Sequence, residues 1–175
     1  LAYLDNAASG QTPQAVQDAV AEQQRLNHSN VHRGVHQLSE RSTAAYEGAR
    51  EKLRRFINAS SLAEVVFTRG TTESINLVAA SFGQRLTAGD EVLITGLEHH
   101  SNIVPWQLLC ERTGARLVVA PILDDGSLDV SAFDRLLGAR TKIAAFAHAS
   151  NALGTVNPVA ALIAKAHAVG AVVPR

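Results

Sequence analysis

The sequence has 175 residues, of which 46% are hydrophobic and 18% charged, a balance that fits a globular chain with a real core and not a disordered one. The 16 basic and 16 acidic residues cancel, which argues against nucleic-acid or membrane-surface binding driven by bulk charge. No apolar run reaches the length of a membrane span, and nothing at the start resembles a signal peptide. A single cysteine, Cys110, forms no internal disulfide, which points to a reducing compartment, the cytoplasm.

The chain opens at Leu1, contains no methionine and stops inside the apolar run AVVPR. It therefore reads as a piece of a longer protein. Residues 12 to 27 alternate apolar and polar at helical spacing, with Thr12-Pro13 as a start signal. NHSNVHRGVH, Asn27 to His36, breaks that pattern and reads as a loop. Residues 39 to 57 predict a long amphipathic helix. Then strand and helix alternate. EVVFT, Glu64 to Thr68, predicts a strand, and RGTTESINLVAASFG turns into a helix. EVLITG is a strand, and SNIVPWQLLCERTG a helix with Pro105 in its first turn. ARLVVAP is a strand, followed by a DDG turn and a short helix around Val130 to Leu137. KIAAFAH is a strand, NPVAALIAKAHAVG a helix, and a last strand starts at Ala171. This alternation, with near-continuous apolar strands, predicts an α/β fold: three layers, a mostly parallel sheet between helices.

In such sheets ligands bind where strands end. Three polar loops, RGTTESIN, LEHHSNI and HASNALGT, are expected on one edge and on one pocket. In the first, Gly70 allows a turn and Thr71 and Thr72 open a helix. That suits a single phosphate, while the competing reading is a plain threonine cap. The lysine and glycines of a nucleotide P-loop are absent. In the second, His99 and His100 are neighbours. Neighbours on a helix or strand point apart, so a shared metal is not expected. The open readings are a satisfied surface histidine, or one ring on a flat ligand with the other reaching the reacting atoms. His28, His32 and His36 have i, i+4, i+8 spacing, but Gly34 and its neighbours make poor helix, so no metal is expected there either. In the third, Asn151 is either a ligand contact or an Asx turn. Cys110, among leucines on a helix, reads as structural.

Taken in order, YLDNAAS, NVHRGVH, TRGTTESIN, GDEVLI, EHHSNIVPW and SNALGTVNP resemble the cysteine desulfurases of the class V aminotransferase family. EHH followed by NIVPW, and RGTTE in place of a GATE-type loop, are closer to the SufS/CsdA-like group than to the NifS/IscS-like group. The resemblance implies the N-terminal part of the large domain of a fold-type I transferase dependent on pyridoxal 5′-phosphate. Residues 1–60 would be an N-terminal helical arm and loop, and residues 61–175 an incomplete cofactor-binding large domain. It implies a homodimer that takes sulfur from L-cysteine, leaves L-alanine, and passes an enzyme persulfide to a sulfur-acceptor protein for iron–sulfur cluster assembly. Thr71 and Thr72 would hold the cofactor phosphate, His99 would lie on the pyridine ring, and His100 would move protons. Asn151 would contact cofactor or substrate, and His32, Arg33 and Glu73 would line the pocket mouth. The family's cofactor-attaching lysine, the aspartate for the pyridine nitrogen, the carboxylate-binding arginine and the persulfide cysteine all lie downstream of the matched motifs. Lys52, Lys142 and Lys165 lack the right context, so the 175-residue chain alone is expected to be inactive. Alternatives are a selenocysteine lyase, another class V enzyme such as a kynureninase-like hydrolase, or a non-catalytic truncated product acting as a binding module.

Overall fold

A computed structural model describes residues 2–174, which divide into two compact units after Phe67. The first unit is helical. It holds α1 (Gln14–Leu26) and α2 (Gln37–Phe56), separated by the predicted loop. Hydrogen bonds organise that loop. Ser39 Oγ donates to the Asn30 carbonyl (2.8 Å) and accepts from the Gly34 N–H (3.0 Å). His36 caps α2, accepting the Ser39 N–H. A Cβ on Gly34 would meet the Ser39 Cβ at 2.7 Å, so this turn needs glycine.

The second unit contains a parallel sheet of β1 (Glu91–Thr95), β2 (Arg116–Ala120) and β3 (Thr141–Ala145), in the order β2-β1-β3. Four helices cover it: α3 (Thr71–Ala80), α4 (Val104–Thr113), α5 (Val130–Leu136) and α6 (Val159–Ala168). Successive residues of a strand face opposite sides. Val92 and Ile94 therefore pack with Ala79 of α3 and with Trp106 and Leu109 of α4. Leu93, between them, packs with Phe133 of α5 and Leu162 of α6. Both faces of β1 are thus covered, giving the expected three layers. Cys110 is buried on the α4 side, and burial pushes its thiol pKa up, as suits a packing residue.

One predicted strand does not form. Val65 is extended, but residues 65–68 pair with no strand among the described residues, and Glu64 ends a 3₁₀ turn, Leu62–Glu64. Val-Val-Phe has strand propensity, yet propensity without a ladder partner leaves only extended chain. Glu64 instead turns back on Ser60, accepting from its N–H (3.1 Å) and its hydroxyl. The segment starting at Ala171 does join the sheet, through one parallel bridge between Val172 and Ile143. The Val172 N–H donates to the Lys142 carbonyl, and the Ala144 N–H donates to the Val172 carbonyl, both at 2.9 Å.

Candidate cofactor site

A cleft of about 520 Å³ opens at the carboxyl edge of this sheet. Volumes in this range are usual for small-molecule sites. One wall comes from the start of α3, with the hydroxyls of Thr68, Thr71 and Ser74. The loop after β1 supplies Glu98, His99, Ser101 and Asn102, and the end of β3 supplies Ala145, Phe146 and Ala147. Ile75 and Val78 add an apolar wall. A second, shallower cavity adjoins it, lined by His99, His100, Ile122, Ser150, Asn151 and Leu153 among others. Glu98 and His99 border both.

RGTTE does not form the threonine cap that its sequence offered. The N-cap is Gly70, at φ 150° and ψ 176°, and no side chain caps the helix; Thr71 and Thr72 are its first two residues. An uncapped helix start leaves N–H groups and a partial positive charge facing outward, beside three hydroxyls. Thr71 borders the cleft, whereas Thr72 is exposed and outside the lining of both cavities. Glu73 turns away and accepts the Arg69 N–H at 2.6 Å, holding the turn together, and it lines neither cavity. RGTTE also follows no strand, so it reaches the cleft through α3 alone.

The expectation that the two histidine rings diverge is likewise corrected. His99 is extended (φ −67°, ψ 147°) and His100 starts a 3₁₀ turn, His100–Asn102, so the junction obeys neither regular geometry. The ring centroids lie 3.9 Å apart, tilted by 39°. His99 Nδ1 accepts the Ser101 N–H (3.2 Å) and lies 2.8 Å from the Ser101 hydroxyl, which fixes the ring and leaves Nε2 for other partners. His32 and Arg33 belong to the first unit. There His32, at φ 62°, has its Nε2 3.0 Å from Glu47 Oε1 and its ring edge-on to Tyr46.

Sequence reasoning missed Glu98 and Asn102, although the carboxylate preceding the histidine pair was visible. Glu98 Oε1 accepts from the Ala147 N–H (3.0 Å) and the Thr95 hydroxyl (2.5 Å), and Oε2 accepts from Asn102 Nδ2 (2.7 Å). Trp106 Nε1 donates to Asn102 Oδ1 at 2.8 Å. Thr68 and Ser74, whose hydroxyls lie 2.6 Å apart, were also missed as wall residues.

Pyridoxal 5′-phosphate fits these residues. The uncapped start of α3 with its hydroxyls suits the phosphate, the apolar walls suit a flat ring, and His99 borders the same space. No lysine lines either cavity. Lys142 contacts the Ala139 carbonyl and lies 3.8 Å from Asp90, Lys165 pairs with Asp134, and Lys52 is on α2.

The class-V aminotransferase family model matches residues 2–174. The chain belongs to the class-V aminotransferase family. This class-V chain is 54% identical over 174 residues to a cysteine desulfurase of Pectobacterium atrosepticum, covering 99% of itself and 43% of that protein. The apo cysteine desulfurase of Thermococcus onnurineus superposes with a TM-score of 0.92 at 40% identity, over 98% of the chain and 42% of the relative. The Escherichia coli cysteine desulfurase CsdA gives 0.83 at 41%, over 98% and 43%. The chain thus spans about 28–43% of the length of the curated relatives it matches.

Proposed function

We propose that the complete protein is a pyridoxal 5′-phosphate-dependent cysteine desulfurase, in which residues 61–175 supply part of the large domain and residues 1–60 its N-terminal arm. The observation carrying this reading is the cleft itself: an uncapped, hydroxyl-lined helix start on one side and His99 on the other. The cofactor, when bound, supplies the electron sink for breaking the carbon–sulfur bond of L-cysteine. Thr71 and the first N–H groups of α3 hold its phosphate, with Thr72 beside them. His99 would bear on its ring, and His100 would carry protons at the substrate. Asn151 orients the bound molecule from the second cavity, and Glu73 secures the phosphate turn from behind. The products are L-alanine and a persulfide passed to an acceptor protein for iron–sulfur cluster assembly, by a cytoplasmic homodimer.

Two measurements test this. In the complete protein, His100→Ala is expected to lower kcat about 100-fold or more with the cofactor retained, the usual worth of a positioned proton carrier. His99→Ala is expected to weaken cofactor retention several-fold, an aromatic stack contributing about 0.5–1.5 kcal/mol. Unchanged turnover in the first and unchanged retention in the second would reject both roles. Separately, the 175-residue chain mixed with pyridoxal phosphate and borohydride is expected to give no adduct at a single lysine. A stoichiometric adduct at Lys52, Lys142 or Lys165 would show the site to be assembled differently.

A further inference from the structure

We propose that Glu98 is a positioning residue, an obligatory double acceptor that fastens the His99 loop to the end of β3, with its hydrogen-bond chain oriented by Trp106. This rests on the reading of the cleft as a cofactor site bordered by His99. The direction of each proton is fixed by its donor. An indole N–H only donates, so Asn102 must turn its carbonyl oxygen toward Trp106. The Asn102 amide nitrogen then faces Glu98 Oε2 and can only donate. On the other side the Ala147 N–H, a fixed backbone donor, faces Oε1. The Thr95 oxygen already accepts the Leu97 N–H (3.3 Å), and its hydroxyl proton goes to the same Oε1. Every donor points at Glu98, and none but the hydroxyl can reverse.

The far end of the clamp is equally fixed. The Ala147 carbonyl accepts from Asn157 Nδ2 (2.8 Å), and the Asn157 N–H donates to the His148 carbonyl (2.8 Å). Asn157 is 4% exposed and Trp106 fully buried. The peptide at Ala147, a wall of the cleft, is thus gripped on its N–H by Glu98 and on its carbonyl by Asn157. The residue after Glu98 is His99, so the carboxylate links both walls to the ring.

This arrangement makes glutamine a poor replacement. The amide nitrogen of E98Q must face either Ala147 N–H or Asn102 Nδ2, donor against donor in both orientations. Trp106→Phe removes the demand on Asn102, whose amide can then rotate and present oxygen to the new nitrogen. A side chain that merely fills space predicts that the two substitutions add their damage. An oriented chain predicts that the second repairs the first.

The test uses the complete protein, with amide hydrogen exchange at Ala147 and the absorbance of bound pyridoxal phosphate as readouts. E98Q is expected to speed exchange at Ala147 about 10- to 100-fold, the worth of a hydrogen bond to a charged acceptor, and to shift the cofactor band. E98Q/W106F is expected to recover most of that protection, and W106F alone to leave it intact. A double variant no better protected than E98Q, or an E98Q protein with wild-type exchange, overturns the proposal. If E98Q does not fold, the wild-type protein decides: exchange at Ala147 as fast as in an open loop overturns it, and slow exchange lost in T95V sustains it. If the complete protein takes up no cofactor, the reading of the cleft fails, and the exchange pattern alone then judges Glu98.

Discussion

Replacing Trp106 by alanine is expected to destabilise the second unit by about 4 kcal/mol, the largest effect of any single truncation considered. Trp106 is fully buried in the layer between α4 and the sheet, packed among Val92, Ile94 and Leu109. Truncating an aromatic side chain there removes its transfer free energy and leaves a cavity, together about 3–5 kcal/mol. The Asn102 oxygen also loses its donor, a further cost of roughly 1 kcal/mol where no water enters. Trp106→Phe keeps most of the volume and is expected to cost about half as much or less. Urea denaturation of the complete protein, followed by signals from residues 68–174, measures the difference. A midpoint for the alanine variant equal to that of the phenylalanine variant would mean that the indole is not packed as described.

The second large effect is expected at Gly70. Its φ of 150° with ψ of 176° lies where side chains other than hydrogen are strained, while the space around it is open. The penalty for Gly70→Ala is therefore purely conformational, about 1–3 kcal/mol. The chain can relieve it only by moving the start of α3, which is also the proposed phosphate cradle. Retention of pyridoxal phosphate is expected to fall roughly tenfold or more, in line with that strain. Gly138→Ala, with open space and no positive φ, is the control and is expected to be near neutral. Wild-type retention by Gly70→Ala would remove α3 from the phosphate-binding role.

The sheet and its helices were legible because their signals are periodic. Val92 to Ile94 and Ile143 to Ala145 are apolar runs short enough for strands; between them α4 has Pro105 in its first turn and ends at the left-handed Gly114, and Asp129 caps α5. EVVFT misled because propensity is local and pairing is not: Val65 is extended, but no ladder among the described residues receives it. The site was legible to the level of the loop. RGTTE and EHH stood out by composition, and both border the cleft. Which side chain points where was not legible. Thr71 rather than Thr72 borders the cavity, and Glu73 is spent on Arg69, because the N-cap is Gly70 and Thr71 is already the first helical residue. The histidine rings meet because an extended residue runs into a 3₁₀ turn, a junction without a repeating pattern. The role of Glu98 depends on Ala147, 49 positions away, and no local pattern reports such a partner.

That separation has a consequence for synthesis. When the histidine loop leaves the ribosome, the backbone amide that fastens it is still dozens of residues from being made. Helices α3 and α4 can form from local contacts, but the clamp waits until β3 has emerged and aligned beside β1. Until then both histidines hang on an unanchored tether. The nascent chain would thus gain its secondary structure early and its binding geometry late, in one step set by the docking of a single strand.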